Sequence, residues 1–334
     1  MRTVAMTLVG LVVLALSIAA AMIIGPADLG FGDVYAVVAQ HLWGRTANVA
    51  PIDDGIVWEL RLPRALLAAI CGAGLGICGA ILQSLMRNPL ADPFMLGISS
   101  GASTGAVLVV VAGIGGALTL SGGAFVGAVI AFVLVLALAA VSGGGQDRVL
   151  LAGVAGTQLF SAATALVVFS SADAQQTRGV LFWLLGSLAG AAWSQVALCG
   201  LVCAACLAIC WLHSDALDAF AFGRDAAAAL GVSVRRVRAV LLATTALLTA
   251  VLVSAAGAIG FVGLVLPHAA RMIVGPSHRR LLPVTAITGA IFLVWVDAAA
   301  RTVFAPQELP VGVVTALVGV PIFMWILARR RRIR

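Results

Sequence analysis

Residues 61–106 read RLPRALLAAICGAGLGICGAILQSLMRNPLADPFMLGISSGASTGA, and this stretch decides the fold class. From 64 to 86 it carries an apolar run as long as a membrane span, which takes about 20 residues. Its charges sit at the borders, with Arg61 and Arg64 before the run and Arg87 after it. Pro89 and Pro93 keep the polar turn at 87–92 short, because neither can continue a helix. A second segment of small residues starts at once. Gly72, Gly76 and Gly79 recur at i, i+4 and i+7, a face on which another helix can approach closely. The stretch predicts a hairpin of two tightly packed membrane helices.

The rest of the chain agrees. Of 334 residues, 62% are hydrophobic and 10% charged, and the mean hydropathy is +1.14. A soluble domain cannot carry that load. The chain is therefore read as all-α and polytopic, one transmembrane domain over 1–334. Apolar runs place ten spans, at 4–24, 64–86, 94–112, 118–141, 149–170, 193–212, 239–256, 260–272, 281–303 and 310–328. The segment 32–42, with Asp33 near its start, reads as a short surface helix. The piece 180–188 is too short to span and is assigned to the interface, with Trp183 as anchor. The first span mimics a signal peptide, but its charge-free run is long for one, so it is expected to be retained.

Charge settles several classes. The pI of 9.9 does not mark a nucleic-acid binder, since no basic stripe with interleaved aromatics exists. All twenty basic residues are arginine. A Walker A loop needs its lysine, so any ATP hydrolysis must belong to another chain. Fifteen arginines fall on one side of the spans and five (Arg45, Arg61, Arg64, Arg178, Arg301) on the other. That bias places both termini in the cytoplasm. Asp297 and Arg301 lie inside the ninth span, i and i+4 on one face, and could pair. Ion-coupled carriers usually need more intramembrane acids, which argues against a secondary transporter.

No metal or catalytic constellation emerges. Cys199, Cys203, Cys206 and Cys210 line one helix face and read as small packing residues, since a redox or metal site would want polar company. The histidines at 41, 213, 268 and 278 are far apart. The longest inner interruption is 213–238. Within it, strong helix formers from Arg224 to Leu230 are bracketed by Gly223 and Gly231. This predicts two short amphipathic helices joined at Gly223, either a solvated connector or, through Leu217, Phe220, Phe222 and Leu230, a fit for a partner's groove.

Several motifs carry a resemblance. They are Arg61-x-Pro63-Arg64, Gln83, Asn88-Pro89-Leu90-Ala91-x-Pro93 and Leu96-Gly97-x-Ser99-x-Gly101-Ala102. Further on come Gly257-Ala-Ile-Gly-Phe-Val-Gly-Leu-Val-Leu-Pro-His268-x2-Arg271, His278-Arg279-x-Leu281-Leu282-Pro283 and Glu308-Leu-Pro-Val-Gly-Val-Val-Thr315 with Gly319 and Pro321. Together they resemble the FecCD/BtuC-like permeases, the membrane subunits of type II ATP-binding-cassette importers for ferric siderophores, haem and vitamin B12. The resemblance spans about 55–328.

It implies a ten-helix subunit that pairs with a second copy or a close paralogue in the bacterial cytoplasmic (inner) membrane. Two ATPase subunits, holding ATP and Mg, would sit inside, and a substrate-binding protein outside. This chain would hold no cofactor and no metal and would not be an enzyme. The ATPase would dock on the loop 213–238, through Leu217, Asp218, Phe220, Phe222, Gly223, Arg224, Leu230 and Gly231. Arg61, Arg64 and Arg301 would form a basic patch for acidic residues of the binding protein, the alternative for Arg61 and Arg64 being anchoring at the membrane interface. Asn88, Leu90, Gln146 and Asp147 would lie at the cytoplasmic gate. Among substrates a ferric siderophore ranks first, haem second and vitamin B12 third. The rival reading is a passive channel or structural membrane protein without ATPase coupling.

Overall fold

A computed structural model of the chain describes residues 2–25, 27, 29–44, 49–112, 117–143, 145–171 and 174–331. Arg45 and the last three residues of the arginine-rich tail lie outside this set, as do the side chains of Gln146 and Arg224. The described residues are helical, with no strand among them. The expected all-α polytopic class is what the structure shows. Seven helices are long and apolar enough to cross a membrane, and three shorter apolar ones bring the set to the ten expected spans.

Helix α1 (Arg2–Ile23) is followed by the surface helix α2 (Phe31–Trp43), whose Asp33 carboxylate accepts from Gly30 N at its start. Helix α3 (Pro51–Leu85) is the longest, at 35 residues. Its span was expected to begin at 64. The start lies earlier because Pro51 suits a first helical turn and Asp53 and Asp54 complement the helix dipole there. The polar residues hid this extension from a hydropathy reading. At 1.5 Å per residue α3 is about 50 Å long, so its outer part stands clear of a hydrocarbon core of about 30 Å.

After α3, a 3-10 turn (Pro93–Leu96) and the left-handed Gly97 shorten the third span to α4 (Ile98–Val111). Then come α5 (Ala117–Val141), α6 (Gln146–Ser170), α7 (Ala174–Leu184) and α8 (Trp193–Leu212). The inner interruption folds as two short helices, α9 (Ser214–Phe220) and α10 (Arg224–Ala229), joined through Gly223 at φ 106°. Helix α11 (Val234–Ala256) takes Arg235, Arg236 and Arg238 into its first turns instead of leaving them in the loop. The chain closes with α12 (Val262–Val274), α13 (His278–Thr302) and α14 (Val311–Arg331).

Helix α3 is the axis of the core. It packs against α13, α12, α8, α11 and α1, and 83% of its most apolar stretch is buried. The glycine face makes this possible. A Cβ on Gly72 would overlap the Gly289 carbonyl of α13, and one on Gly79 the Gly263 carbonyl of α12. Two backbones thus touch where side chains would hold them apart. The six cysteines, Cys71 and Cys78 on α3 and four on α8, are all buried and free, in keeping with packing. Helix α6 is the opposite case, with 17% buried and Leu151, Leu166 and Phe169 bare.

Candidate functional site

The sequence singled out three places, and the structure builds each differently. At the outer end, Arg61 and Arg64 lie on α3 and Arg301 on α13. The expectation of a basic patch needs correction. The three residues are only 6%, 8% and 6% exposed. Arg61 donates to the carbonyls of Met22 (2.6 Å), Ile23 (3.1 Å) and Ala27 (2.8 Å). Those carbonyls include the unpaired C-terminal groups of α1, so Arg61 caps that helix. Arg301 donates to Ala21 O at 3.1 Å on the same helix end.

Arg64 forks between two acids. Its Nε donates to Asp297 Oδ1 at 2.9 Å and its Nη1 to Glu308 Oε2 at 2.9 Å. Arg301 Nε lies 3.1 Å from Asp297 Oδ2, so the pair expected within α13 is present. Three guanidiniums against two carboxylates leave one positive charge. Burial forces this pairing, since an uncompensated charge out of water costs several kcal/mol. Sequence reasoning found the arginines and Asp297 but missed Glu308 as their partner, because 244 residues separate it from Arg64.

At the inner end, the expected apolar quartet divides. Leu217 is fully buried and Phe220 is 6% exposed, so both pack into this chain's own core. They are not free to enter a partner's groove. Phe222 and Leu230, at 77% and 71% exposed, are the two that face outward. Asp218, half-exposed, is bonded within this chain. Its Oδ1 accepts from His278 N at 2.9 Å and its Oδ2 from Ser277 Oγ at 3.1 Å. Gly223 and Gly231 both take positive φ, which ends each short helix sharply.

The third place is the inner turn after α3. Asn88 Oδ1 accepts from Leu90 N at 2.9 Å, closing an Asx turn, and Leu90 is 46% exposed. Asp92 sits half-buried below it and accepts from Phe94 N at 2.9 Å, starting the 3-10 turn. Burial pushes its carboxyl up to about 6, against the pull of that N–H. Asp147 is exposed in the first turn of α6. The 3-10 turn packs against α6 at Gly153, where a Cβ would overlap the Met95 carbonyl. The 3-10 turn thus meets α6 six residues past Asp147. Above it, Ser100, Ser103, Ser161 and Thr164 line an open groove of about 550 Å³ between α4, α6 and α7, with Phe169 and Leu181 also on its wall.

A long buried axis helix, a polar turn at its inner end and two short helices beside it form one connected arrangement. The family model of the FecCD transport family matches residues 11–329. The chain belongs to the FecCD transport family. Among its relatives, the cobalamin import permease BtuC of Halobacterium salinarum is 41% identical, over 76% of this chain and 70% of its own. The hemin transport permease HmuU of Yersinia pestis is 37% identical, over 83% of each chain. A solved structure titled as an inward-facing conformation of a metal-chelate type ABC transporter superposes with a TM-score of 0.85. It is 28% identical and covers 97% of this chain and 99% of that one. This FecCD chain is thus a multi-pass permease subunit of an ATP-binding-cassette importer. Subunits of that kind are not themselves catalytic.

Proposed function

We propose that this permease forms the path of an importer for a large metal chelate, with a ferric siderophore first, haem and corrinoid next. The observation that carries the proposal is the groove on α4, α6 and α7. Its walls hold hydroxyls and apolar groups and no charge, which suits a bulky, charge-compensated chelate. A relative from Haemophilus influenzae, 31% identical, is a molybdate import permease. A small oxyanion would be better served by basic or N–H donors along such a wall.

The bare face of α6 would meet a second copy or a close paralogue, so that two grooves enclose the path. Phe222 and Leu230 would contact an ATPase subunit, and a lysine-free chain leaves nucleotide binding to it. Both termini would face the cytoplasm across the bacterial inner membrane. Asn88, Leu90, Gln146 and Asp147 would border the inner gate. A binding protein would meet an outer mouth of net charge +1 at Arg61, Arg64 and Arg301, not an exposed patch of three.

The test is reconstitution of the permease with its ATPase and binding protein in proteoliposomes, with radiolabelled ferric hydroxamate, haem and cobalamin supplied in turn. ATP-dependent accumulation of one chelate supports the proposal. Accumulation of none, or uptake that ignores ATP, supports the channel reading instead.

A further inference from the structure

Helix α13 begins in an unusual way. Its N-cap residue Ser277 makes no side-chain bond to its own helix. The first amide, His278 N, is instead satisfied by Asp218, a residue of α9. Asp218 also accepts from Ser277 Oγ at 3.1 Å and lies 2.5 Å from His278 Nδ1. A carboxylate from one helix thus caps another, at three points. A helix N-terminus favours such a charge. Helix α9 and the start of α13 are joined by hydrogen bonds with defined geometry, not by packing alone.

The same imidazole continues to α3. His278 Nε2 is 2.5 Å from Ser84 Oγ, in the last turn of that helix. A carboxylate only accepts, so Nδ1 carries a proton toward Asp218. If Nε2 is bare, the Ser84 hydroxyl donates to it. If Nε2 is protonated, the ring donates and Ser84 turns to Ala80 O at 3.1 Å. In both states the ring is held at both ends. His278 is 4% exposed, so water does not readily replace either partner.

Next to Ser84, Gln83 Nε2 lies 3.2 Å from both Gly263 O and Leu264 O of α12, and Arg271 Nη1 donates to Gln83 Oε1 at 2.5 Å. The inner turn hangs from this point. Asn88 N donates to Gln83 O at 3.1 Å, and Arg87 between them is left-handed at φ 47°. The end of α3 has one polar tie to α13 and one to α12, and the turn follows directly.

We infer that Asp218, His278 and Ser84 are the link that carries a displacement of α9 to the inner end of α3, and so to the turn at 87–92. The inference rests on α9 and α10 receiving the ATPase. Asp218 and Ser84 act through His278 and are positioning residues.

The test needs no knowledge of the cargo. Leu90→Cys in the exposed turn is labelled with a membrane-impermeant maleimide in the full transporter, with and without ATP, Mg and vanadate. The six native cysteines are buried. Labelling of Leu90→Cys should differ at least fivefold between the two states. Adding Ser84→Ala should reduce that difference to under twofold, while ATPase retention and ATP hydrolysis stay within twofold. Ser84→Thr, which keeps the hydroxyl, should preserve the difference, and Asp218→Asn should weaken it.

A full labelling response in Ser84→Ala overturns the link and leaves ATPase docking intact. So does loss of ATPase retention in that variant, because the hydroxyl would then shape the docking helix. Absence of any response in Leu90→Cys alone, with ATPase bound, also overturns it. A permease that never retains the ATPase removes the docking reading, and the link falls with it.

Discussion

The two ends of the α3–α13 pair are fastened by different chemistry. The outer end is held by buried ion pairs, with Arg64 and Arg301 sharing Asp297, and by guanidiniums on the last carbonyls of α1. The inner end is held by hydrogen bonds through Ser84, His278 and Gln83, the last of which meets two carbonyls and Arg271 of α12, and Asp218 of the short helix α9 joins it through His278. Breaking a buried ion pair leaves a stranded charge. Rearranging a neutral serine bond costs about 1 kcal/mol, and a bond to a charged group about 1.5–3 kcal/mol. The outer end is built to keep one geometry, while the inner end can exchange partners at modest cost. That asymmetry fits the proposal that the subunit is driven from the end that carries α9 and α10.

Removing the outer acid should have the largest effect. Asp297→Ala would leave Arg64 and Arg301 buried without their shared carboxylate and should cost about 3–5 kcal/mol. The check is thermal unfolding in detergent, together with yield from the membrane. A midpoint within a few degrees of wild type would mean that the cluster is not what holds the outer end.

At the inner end, Leu217 and Phe222 should behave oppositely although five residues apart. Leu217→Ala opens a cavity in the core and should lose about 2–5 kcal/mol of stability. Phe222→Ala should leave the midpoint unchanged and weaken ATPase association about tenfold, or 1.4 kcal/mol. Measuring both quantities on both variants separates the buried from the presented face of this loop. Equal effects would remove the distinction.

Gly72→Ala tests the seam between the two ends. Its methyl would strike the backbone carbonyl of Gly289, which cannot swing aside, and overpacking of this kind costs about 1–3 kcal/mol. The loss should appear in the unfolding midpoint. Gly122→Ala, where a Cβ meets open space, should be silent.

The smallest effect belongs to Asp92. Its carboxyl is raised to about 6, so the folded protein binds this proton more tightly than the unfolded chain, where the ordinary value is about 3.9. Its contribution is full below about 4 and is lost as pH rises through about 6. Asp92→Asn keeps an acceptor for Phe94 N and removes the charge. The difference in stability between wild type and variant should therefore shift across that window; about two pKa units bound the change at about 3 kcal/mol, and solvent reaching this half-buried carboxyl lowers it to about 1 kcal/mol. A flat difference would place the carboxyl in water.

Much of the fold was legible because a membrane makes simple demands. Apolar length marked the spans, Pro89 and Pro93 bounded the turn, and Gly72, Gly76 and Gly79 announced the packing face of α3. The errors have a common cause. Arg61, Arg64 and Arg301 read as a patch because their acceptors, Glu308 and the carbonyls of α1, are remote in sequence. Leu217 and Phe222 looked equivalent because short amphipathic helices have an apolar side whether they bury it at home or offer it abroad. The start of α3 was placed late because a helix that leaves the hydrocarbon stops looking apolar.

The sequence by itself determined that this is a lysine-free, multi-helix membrane chain with a glycine-faced axis helix, and its motifs marked it as FecCD-like. Those are properties of composition and local spacing, which do not depend on where distant residues meet. Only the tertiary structure decided which charges are spent. Asp297 neutralises two arginines from different helices, Asp218 caps a helix to which it does not belong, and His278 joins α9 to α3. Apart from the Asp297–Arg301 pair within α13, each is a contact between residues 60 to 233 apart. The worth of such a contact is set by burial and mutual distance, and neither quantity exists until the chain has folded.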